Sequence, residues 1–189
     1  PALEASGVDT PRLDAEVLLS GITGIDRARM ISEPDLEMKP ADAREFATAI
    51  RRRCAREPVA YILSRKGFRY IDLEVDQRVL VPRPETEMLV EVALEIGPAS
   101  VLEIGTGSGA IALAIADEIP EAEITATDVS AGALVIARRN AARLGSLGHI
   151  RFVEASIPDS GGFDLIVANL PYVAEDEHLA PEITKYEPH

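Results

Sequence analysis

The stretch that decides the fold is SVLEIGTGSGAIALAIADEI, residues 100–119. It opens with an apolar run, turns through three alternating glycines and continues with the apolar spacing of a helix. A strand that passes through glycines into a helix is typical of the first half of a βαβ unit. The glycines therefore predict a turn at the carboxyl end of a buried strand, where ligand-binding loops of α/β proteins lie.

The same alternation continues downstream. The predicted strands and helix are EITATD (123–128), AGALVIARRNAARLG (131–145), HIRFV (149–153) and FDLIVA (163–168). Strands that alternate with helices predict an α/β fold with a parallel, doubly wound sheet. With only four such strands the sheet is incomplete at its C-terminal edge, so we expect further strands beyond this sequence.

Upstream of the sheet, residues 1–66 have helical spacing and predict a small helical bundle. Its expected apolar positions are Leu13, Val17 and Ser20 in one helix, with Leu18 and Leu19 beside them, and Ala43, Ala47, Ile50 and Cys54 in another. Arg51, Arg52, Arg53 and Arg56 are interpreted as a solvated face, because they project in several directions from a helix.

Residues 67–84 predict a β-hairpin that connects the bundle to the sheet. Ile71, Leu73 and Val75 alternate with acidic residues, which is the period of a strand. Residues 79–81 are expected to return as its partner across a turn near Asp76. Thr86 then suits a helix start, and residues 85–189 form the third predicted domain.

Composition excludes several classes of protein. The net charge of −13 argues against a tight nucleic-acid binder, which needs a basic surface. No apolar run approaches the length of about 20 residues that spans a membrane. The three histidines have no metal-ligand spacing, so we expect no metal. Cys54 is the only cysteine, which fits the reducing cytoplasm.

Two ligands compete for the glycine loop. Gly105, Gly107 and Ala110 satisfy a relaxed dinucleotide fingerprint, so a nicotinamide cofactor is an alternative. Glu103, however, disfavours a pyrophosphate and suits S-adenosylmethionine, which carries a sulfonium and an ammonium group. Asp128 ends the next strand, where a carboxylate accepts both ribose hydroxyls. The candidate cofactor-binding residues are Glu103, Gly105, Thr106, Gly107, Ser108, Gly109, Asp128, Val129 and Asn169.

The fourth strand runs directly into Asn-Leu-Pro-Tyr, residues 169–172. The Asn169 side-chain oxygen and the Leu170 carbonyl are suited to accept the two N–H groups of a planar –NH₂. Pro171 stiffens the turn and Tyr172 offers a ring for stacking. This motif predicts methyl transfer to a nitrogen with a delocalised lone pair; a simple turn is the alternative.

The Asn-x-Pro-Tyr motif resembles that of adenine-N6 DNA methyltransferases and of the release factor glutamine-N5 methyltransferases (HemK/PrmC type). The upstream segment AREPVAYILSRKGFRYIDLEVDQRVLVPRPETEMLVE (55–91) is similar to the second group. So are RLDAEVLL (12–19) and PEITKYEP (181–188). The resemblance therefore covers nearly the whole sequence and favours the glutamine enzymes.

This resemblance implies a Rossmann-like class I methyltransferase sheet that binds S-adenosylmethionine. It implies that the acceptor is the Gly-Gly-Gln glutamine of peptide chain release factors, that the helical domain docks that partner, and that neither membrane nor direct nucleic-acid binding is involved. Residues 169–172 would hold and line the acceptor amide. The residues that border the active site would be Pro82, Arg83, Pro84, Glu85 and Thr86.

Two residues depart from the family pattern. Leu170 replaces the more common proline; the carbonyl remains, but the fixed φ is lost. Ser156 stands where an Asp is often found near the adenine ring. Three alternatives stay open: an adenine-N6 DNA methyltransferase, a nicotinamide oxidoreductase for which no acid–base residue is seen, and a binding module that keeps the cofactor fold without chemistry.

Overall fold

A computed structural model of the protein describes residues 1–33, 35–157, 162–170 and 180–188. Contacts divide the chain into two units. The first comprises Pro1–Ser64 together with a short helix near the C-terminus, which the sequence alone assigned to the domain of residues 85–189. The second begins at Arg65 and also includes Glu187.

The first unit is helical. Its helices are α1 (Ala2–Ala5), α2 (Pro11–Thr23), α3 (Arg27–Ser32), α4 (Pro40–Cys54), α5 (Val59–Ile62) and, from the C-terminal segment, α9 (Pro181–Tyr186). Both α2 and α4 begin with proline, whose missing N–H costs nothing at a first helical position. Gly24 ends α2 with φ 71°, and the Asp26 carboxylate caps α3 by accepting from Arg29 N.

The apolar positions predicted for α2 and α4 are wrong in part: Leu18 is buried as expected, whereas Leu13 is exposed. The buried residues are Asp14 and Leu18 on α2, and Ala49 and Arg53 on α4. Ala43 and Ala47 are exposed. An apolar pattern misses these faces because each contains a charged residue, and charged residues are buried almost only when they are paired.

Arg53 is at the centre of a buried ion-pair network, so the prediction of a solvated arginine cluster is wrong at this residue. Its Nε donates to Asp14 Oδ2 at 2.6 Å, and an Nη donates to Glu182 Oε1 on α9 at 2.7 Å. Arg56 donates to the other Glu182 oxygen at 2.8 Å. Thr10 Oγ1 donates to the second Asp14 oxygen at 2.7 Å. The network joins α9 to α2 and α4 within this unit.

The second unit opens with an antiparallel hairpin of β1 (Arg65–Phe68) and β2 (Ile71–Glu74). The predicted return strand at residues 79–81 is therefore wrong, since β2 pairs with the segment that precedes it. Val79 and Val81 are nevertheless buried, at 1% and 5% exposure. Their apolar character reflects burial in the core and not a strand ladder.

The predicted α/β fold class is confirmed. A 3₁₀ turn (Pro84–Thr86) leads into α6 (Glu87–Ile96), and the remaining elements are β3 (Ser100–Ile104), α7 (Ala110–Glu118), β4 (Glu123–Asp128), α8 (Ala131–Leu144), β5 (Ile150–Glu154) and β6 (Leu165–Ala168). The four strands form a parallel sheet in the order β5-β4-β3-β6. From β3 the strands β4 and β5 are added toward one edge of the sheet, and β6 is then added on the other side of β3. Ligands of such folds bind at this switch point, which lies between β3 and β6.

The core of this unit lies on and beside β3. All residues of α7 from Ala110 to Ala116 are buried, as are Val101 and Leu102 of β3. Leu113 is 1% exposed and Ile115 is fully buried; truncating residues of this kind to alanine costs about 2–5 kcal/mol. No helix among the described residues is long and apolar enough to cross a membrane.

Candidate active site

The glycine loop joins β3 to α7 and has a left-handed backbone at every second residue. Gly105, Gly107 and Gly109 have φ values of 72°, 55° and 84°. Residues with a Cβ adopt these angles at a cost, so the positions require glycine. An ideal Cβ on Gly107 would meet no atom within 4 Å, which leaves space for a ligand to approach the backbone.

Asp128 fixes the glycine loop from the end of β4. One carboxylate oxygen accepts from Gly107 N at 2.9 Å, and the other accepts from Ser130 N at 2.8 Å. Asn140, on α8, donates to the Ser108 carbonyl at 2.9 Å. Val129, next to Asp128, is 72% exposed. The loop is thus held by hydrogen bonds from two neighbouring elements before any ligand binds.

Glu103 lies below the loop, at the end of β3, and is 2% exposed. Its Oε2 accepts from Thr106 Oγ1 at 2.6 Å and from Ala112 N at 3.1 Å. Among the described residues no hydrogen bond reaches Oε1. Burial raises the pKa of Glu103 to about 7, with a further upward contribution from the Asp128 charge; its two hydrogen bonds act in the opposite direction.

Replacing Glu103 with glutamine is expected to change how stability depends on pH. The folded-state pKa lies above the ordinary value of 4.5, so the contribution of Glu103 to stability is complete below pH 4.5 and is lost as pH rises to about 7. This loss is at most about 3 kcal/mol. Urea denaturation at several pH values should show that the free energy of unfolding falls less over this range in Glu103→Gln than in wild type. An equal fall in both proteins would contradict the raised pKa of Glu103.

Asn169 follows β6 directly and therefore lies beside the glycine loop. Ile104 and Ala168 are partners in the parallel register, so the residues that follow them leave the sheet side by side. The Leu170 side chain contacts this loop, because its Cδ2 lies 2.8 Å from the position of an ideal Cβ on Gly105. Pro171 and Tyr172 lie outside the described residues.

The segment from Pro82 to Thr86 forms the third side of the site. Thr86 is 8% exposed, and its Oγ1 accepts from Asn169 Nδ2 at 2.9 Å. Arg83 donates from one Nη to both carboxylate oxygens of Glu187, at 2.7 and 2.9 Å. The Glu187 side chain is only 1% exposed. Burial raises the pKa of Glu187, while Arg83 opposes that shift.

One cleft brings most of the predicted residues together. It is lined by the glycine loop and Glu103, by Arg83 and Thr86, and by Asn169. The predicted site residues that do not line it, although Asp128 holds the loop that does, are Pro84, Glu85, Gly109, Asp128, Val129 and Leu170. Sequence reasoning missed Glu187, whose only signal was its place in the family-like segment PEITKYEP.

The cleft has the groups that a cationic, ribose-bearing cofactor requires. Glu103 supplies a buried carboxylate for the cationic groups, Gly107 leaves the backbone open to a close approach of the ligand, and the free N–H groups at the start of α7 suit a ligand carboxylate. The described residues contain no group of three or more side chains that would hold a metal ion. These features fit S-adenosylmethionine better than a pyrophosphate, which Glu103 would repel.

Comparison with known proteins identifies the family of the chain. Residues 1–63 match the family described as PrmC N-terminal domain, and residues 101–185 match a methyltransferase domain. The release factor glutamine methyltransferase of Koribacter versatilis is 41% identical over 99% of this chain and 70% of its own length. That of Chlorobaculum tepidum is 42% identical, with 96% and 68% covered, and that of Geobacter sulfurreducens 40% identical, with 98% and 67% covered. The chain therefore belongs to the release factor glutamine methyltransferase family.

Proposed function

We propose that this protein transfers a methyl group from S-adenosylmethionine to the side-chain amide nitrogen (N5) of the glutamine in the Gly-Gly-Gln motif of peptide chain release factors. The observation that carries the proposal is the position of Asn169. Its carboxamide lines the same cleft as the glycine loop, and one of its two polar atoms, Oδ1, has no hydrogen bond within the described residues.

Bound S-adenosylmethionine supplies an electrophilic methyl group on its sulfonium. The glycine loop at Gly107 and the start of α7 would hold the cofactor, and Asp128 at the end of β4 would bind its ribose. The buried Glu103 carboxylate attracts its positively charged groups and is best suited to do so in the ionised form. Because burial favours the neutral form of Glu103, a cationic ligand stabilises the charge that the fold disfavours.

The acceptor amide is held by two oxygens of the motif. Asn169 Oδ1 and the Leu170 carbonyl would each accept one N–H of the glutamine side chain. This arrangement aims the amide nitrogen at the methyl group and stabilises its N–H bonds as they become more polar. The proton becomes acidic only after the C–N bond forms, so the site needs no strong general base. Catalysis is then mainly positioning and electrostatic stabilisation.

The protein substrate requires a docking surface beyond the cleft. The first unit, which matches the PrmC N-terminal domain, is proposed to bind the release factor. Release factors act in translation termination, so the reaction takes place in the cytoplasm. Methylation of adenine in DNA is less well supported, because a chain with net charge −13 lacks the overall positive charge that favours DNA binding.

Methyl transfer from labelled S-adenosylmethionine tests the proposal. The acceptors are a purified release factor, the same factor with its Gly-Gly-Gln glutamine changed to alanine, and duplex DNA. We expect label on the first acceptor alone, with the methyl group located on the glutamine by peptide mass spectrometry. Label on DNA would favour the adenine-N6 activity. No label on any acceptor, with cofactor binding confirmed by calorimetry, would favour a non-catalytic binding module.

A further inference from the structure

We propose that Thr86 is a positioning residue for methyl transfer. Its hydroxyl holds the Asn169 carboxamide in the orientation that keeps Nδ2 bonded to Thr86 and leaves Oδ1 available to the acceptor amide. This inference rests on the proposed function and deepens it, because it gives Thr86 a role through Asn169 instead of a contact with substrate.

Thr86 and Asn169 form a hydrogen-bonded pair that is separate from the other side-chain networks described above. The bond from Asn169 Nδ2 to Thr86 Oγ1 is 2.9 Å long and joins residues 83 positions apart. It is the only side-chain hydrogen bond of either residue within the described parts of the chain. Both residues line the cleft beside the glycine loop. Thr86 therefore acts on the first side chain after β6 at this edge of the sheet.

The orientation of a carboxamide matters because its two ends have opposite hydrogen-bonding character. The oxygen accepts, whereas the –NH₂ donates. If Asn169 turned by 180° about its last torsion, its –NH₂ would face the –NH₂ of the acceptor, and two donors do not bond. Loss of one well-placed hydrogen bond to the reacting group lowers the rate of an enzyme by about 100- to 1000-fold.

Thr86 is held rigidly enough to control that torsion. It is 8% exposed and ends the 3₁₀ turn Pro84–Thr86, in which Thr86 N donates to the Arg83 carbonyl at 3.1 Å. Arg83 is in turn fixed by the buried Glu187. A β-branched side chain also has few rotamers available, so its hydroxyl has a defined position.

A spectroscopic experiment tests the orientation without substrate or cofactor. The sequence contains three side-chain carboxamides, Gln77, Asn140 and Asn169, so the –NH₂ region of a ¹H–¹⁵N spectrum is simple, and Asn169→Ala assigns the third pair. Thr86→Val should shift the Asn169 pair and increase the temperature dependence of one of its N–H signals, as expected on loss of a hydrogen bond. The Asn140 pair, which donates to Glu74 and Ser108 carbonyls, should stay unchanged.

Unchanged Asn169 signals in Thr86→Val would overturn the proposal. So would a shift without any change in temperature dependence, because a flipped carboxamide accepts from the same hydroxyl and leaves Nδ2 unbonded. The spectroscopic experiment tests the orientation of Asn169 even if wild type methylates no release factor. That absence of methylation would count against the proposed function alone.

Kinetics test the consequence. Thr86→Val should lower kcat for a release factor by about 10- to 100-fold, while its KM and the cofactor affinity change by less than about threefold. Thr86→Ser keeps the hydroxyl and should retain activity within about threefold of wild type. Thr125→Val, a half-buried position on β4, controls for the substitution itself.

A double-mutant comparison separates positioning from general damage to the fold. On an Asn169→Ala background, Thr86→Val should cause no further loss of kcat, because the group that it positions is gone. Equal losses in both backgrounds would show that Thr86 acts independently of Asn169. If Thr86→Ser lost activity as Thr86→Val does, that result would likewise contradict a role for the hydroxyl.

Discussion

Replacement of Asn169 by alanine is expected to lower kcat for methyl transfer to a release factor by about 100- to 1000-fold, with a much smaller change in cofactor affinity. The substitution removes Oδ1, the acceptor that positions the glutamine amide beside the methyl group. It leaves the glycine loop intact, since Gly107 is held by Asp128 and Ser108 by Asn140. The measurements are steady-state kinetics with labelled cofactor and calorimetric titration of the cofactor.

Gln77→Ala is the matched control, because it removes the same chemical group at an exposed position in the chain. It should leave kcat and KM unchanged. If Asn169→Ala kept activity within tenfold of wild type, Asn-Leu-Pro-Tyr would be only a turn. If it abolished cofactor binding instead, Asn169 would belong to the cofactor site and not to the acceptor site.

Periodic and buried elements of this fold are readable from the sequence. The predicted segments for β3, β4 and α8 agree with the structure to within a residue, because their apolar residues follow the period of the element and a glycine or a cap marks the end. The three glycines before α7 likewise have the positive φ values that the sequence pattern implies.

The hairpin was not readable in the same way. In β1, which reads RKGF, Phe68 is the only buried residue, so no apolar alternation marks it as a strand. Val79 and Val81 do alternate, yet they contribute to the core from an irregular segment. Pairing depends on which segment reaches the edge of β2, and a local pattern contains no information on that choice.

The site likewise has residues whose place the sequence predicts and contacts that it does not. Glu103, the glycine loop and Asn169 could be placed together from the sequence because each lies at or directly after the end of a recognisable strand, and the carboxyl ends of parallel strands share one edge. The bonds of Asn169 to Thr86 and of Arg83 to Glu187 were not, since they join residues 83 and 104 positions apart. Such contacts depend on how the turns place side chains, which the spacing of residues does not determine.

The arginine network of the first unit gives the second large prediction. Arg53→Ala should lower the free energy of unfolding of this unit by about 3 kcal/mol, because it leaves two buried carboxylates short of a partner. The side chains of Arg53, Asp14 and Glu182 are only 8%, 11% and 15% exposed. Asp14 keeps the Thr10 hydroxyl and Glu182 keeps Arg56, so the loss should fall at the lower end of the range for broken buried pairs.

Arg51→Ala supplies the matched control, two positions away on the same helix. Arg51 is exposed, and its side chain donates to Thr48 Oγ1 alone within the described ranges of the chain, so its removal should change stability by less than about 0.5 kcal/mol. Urea denaturation followed by circular dichroism gives both values, and hydrogen exchange in α2 and α4 locates the loss.

Because the network is buried, the difference between the variants should persist in 0.5 M salt (~4 Å screening length), where exposed ion pairs are weakened. Equal stabilities of the two variants would mean that the pairs only offset their own desolvation, and that the apolar contacts of Leu18 and Ala49 hold α2 against α4 without them.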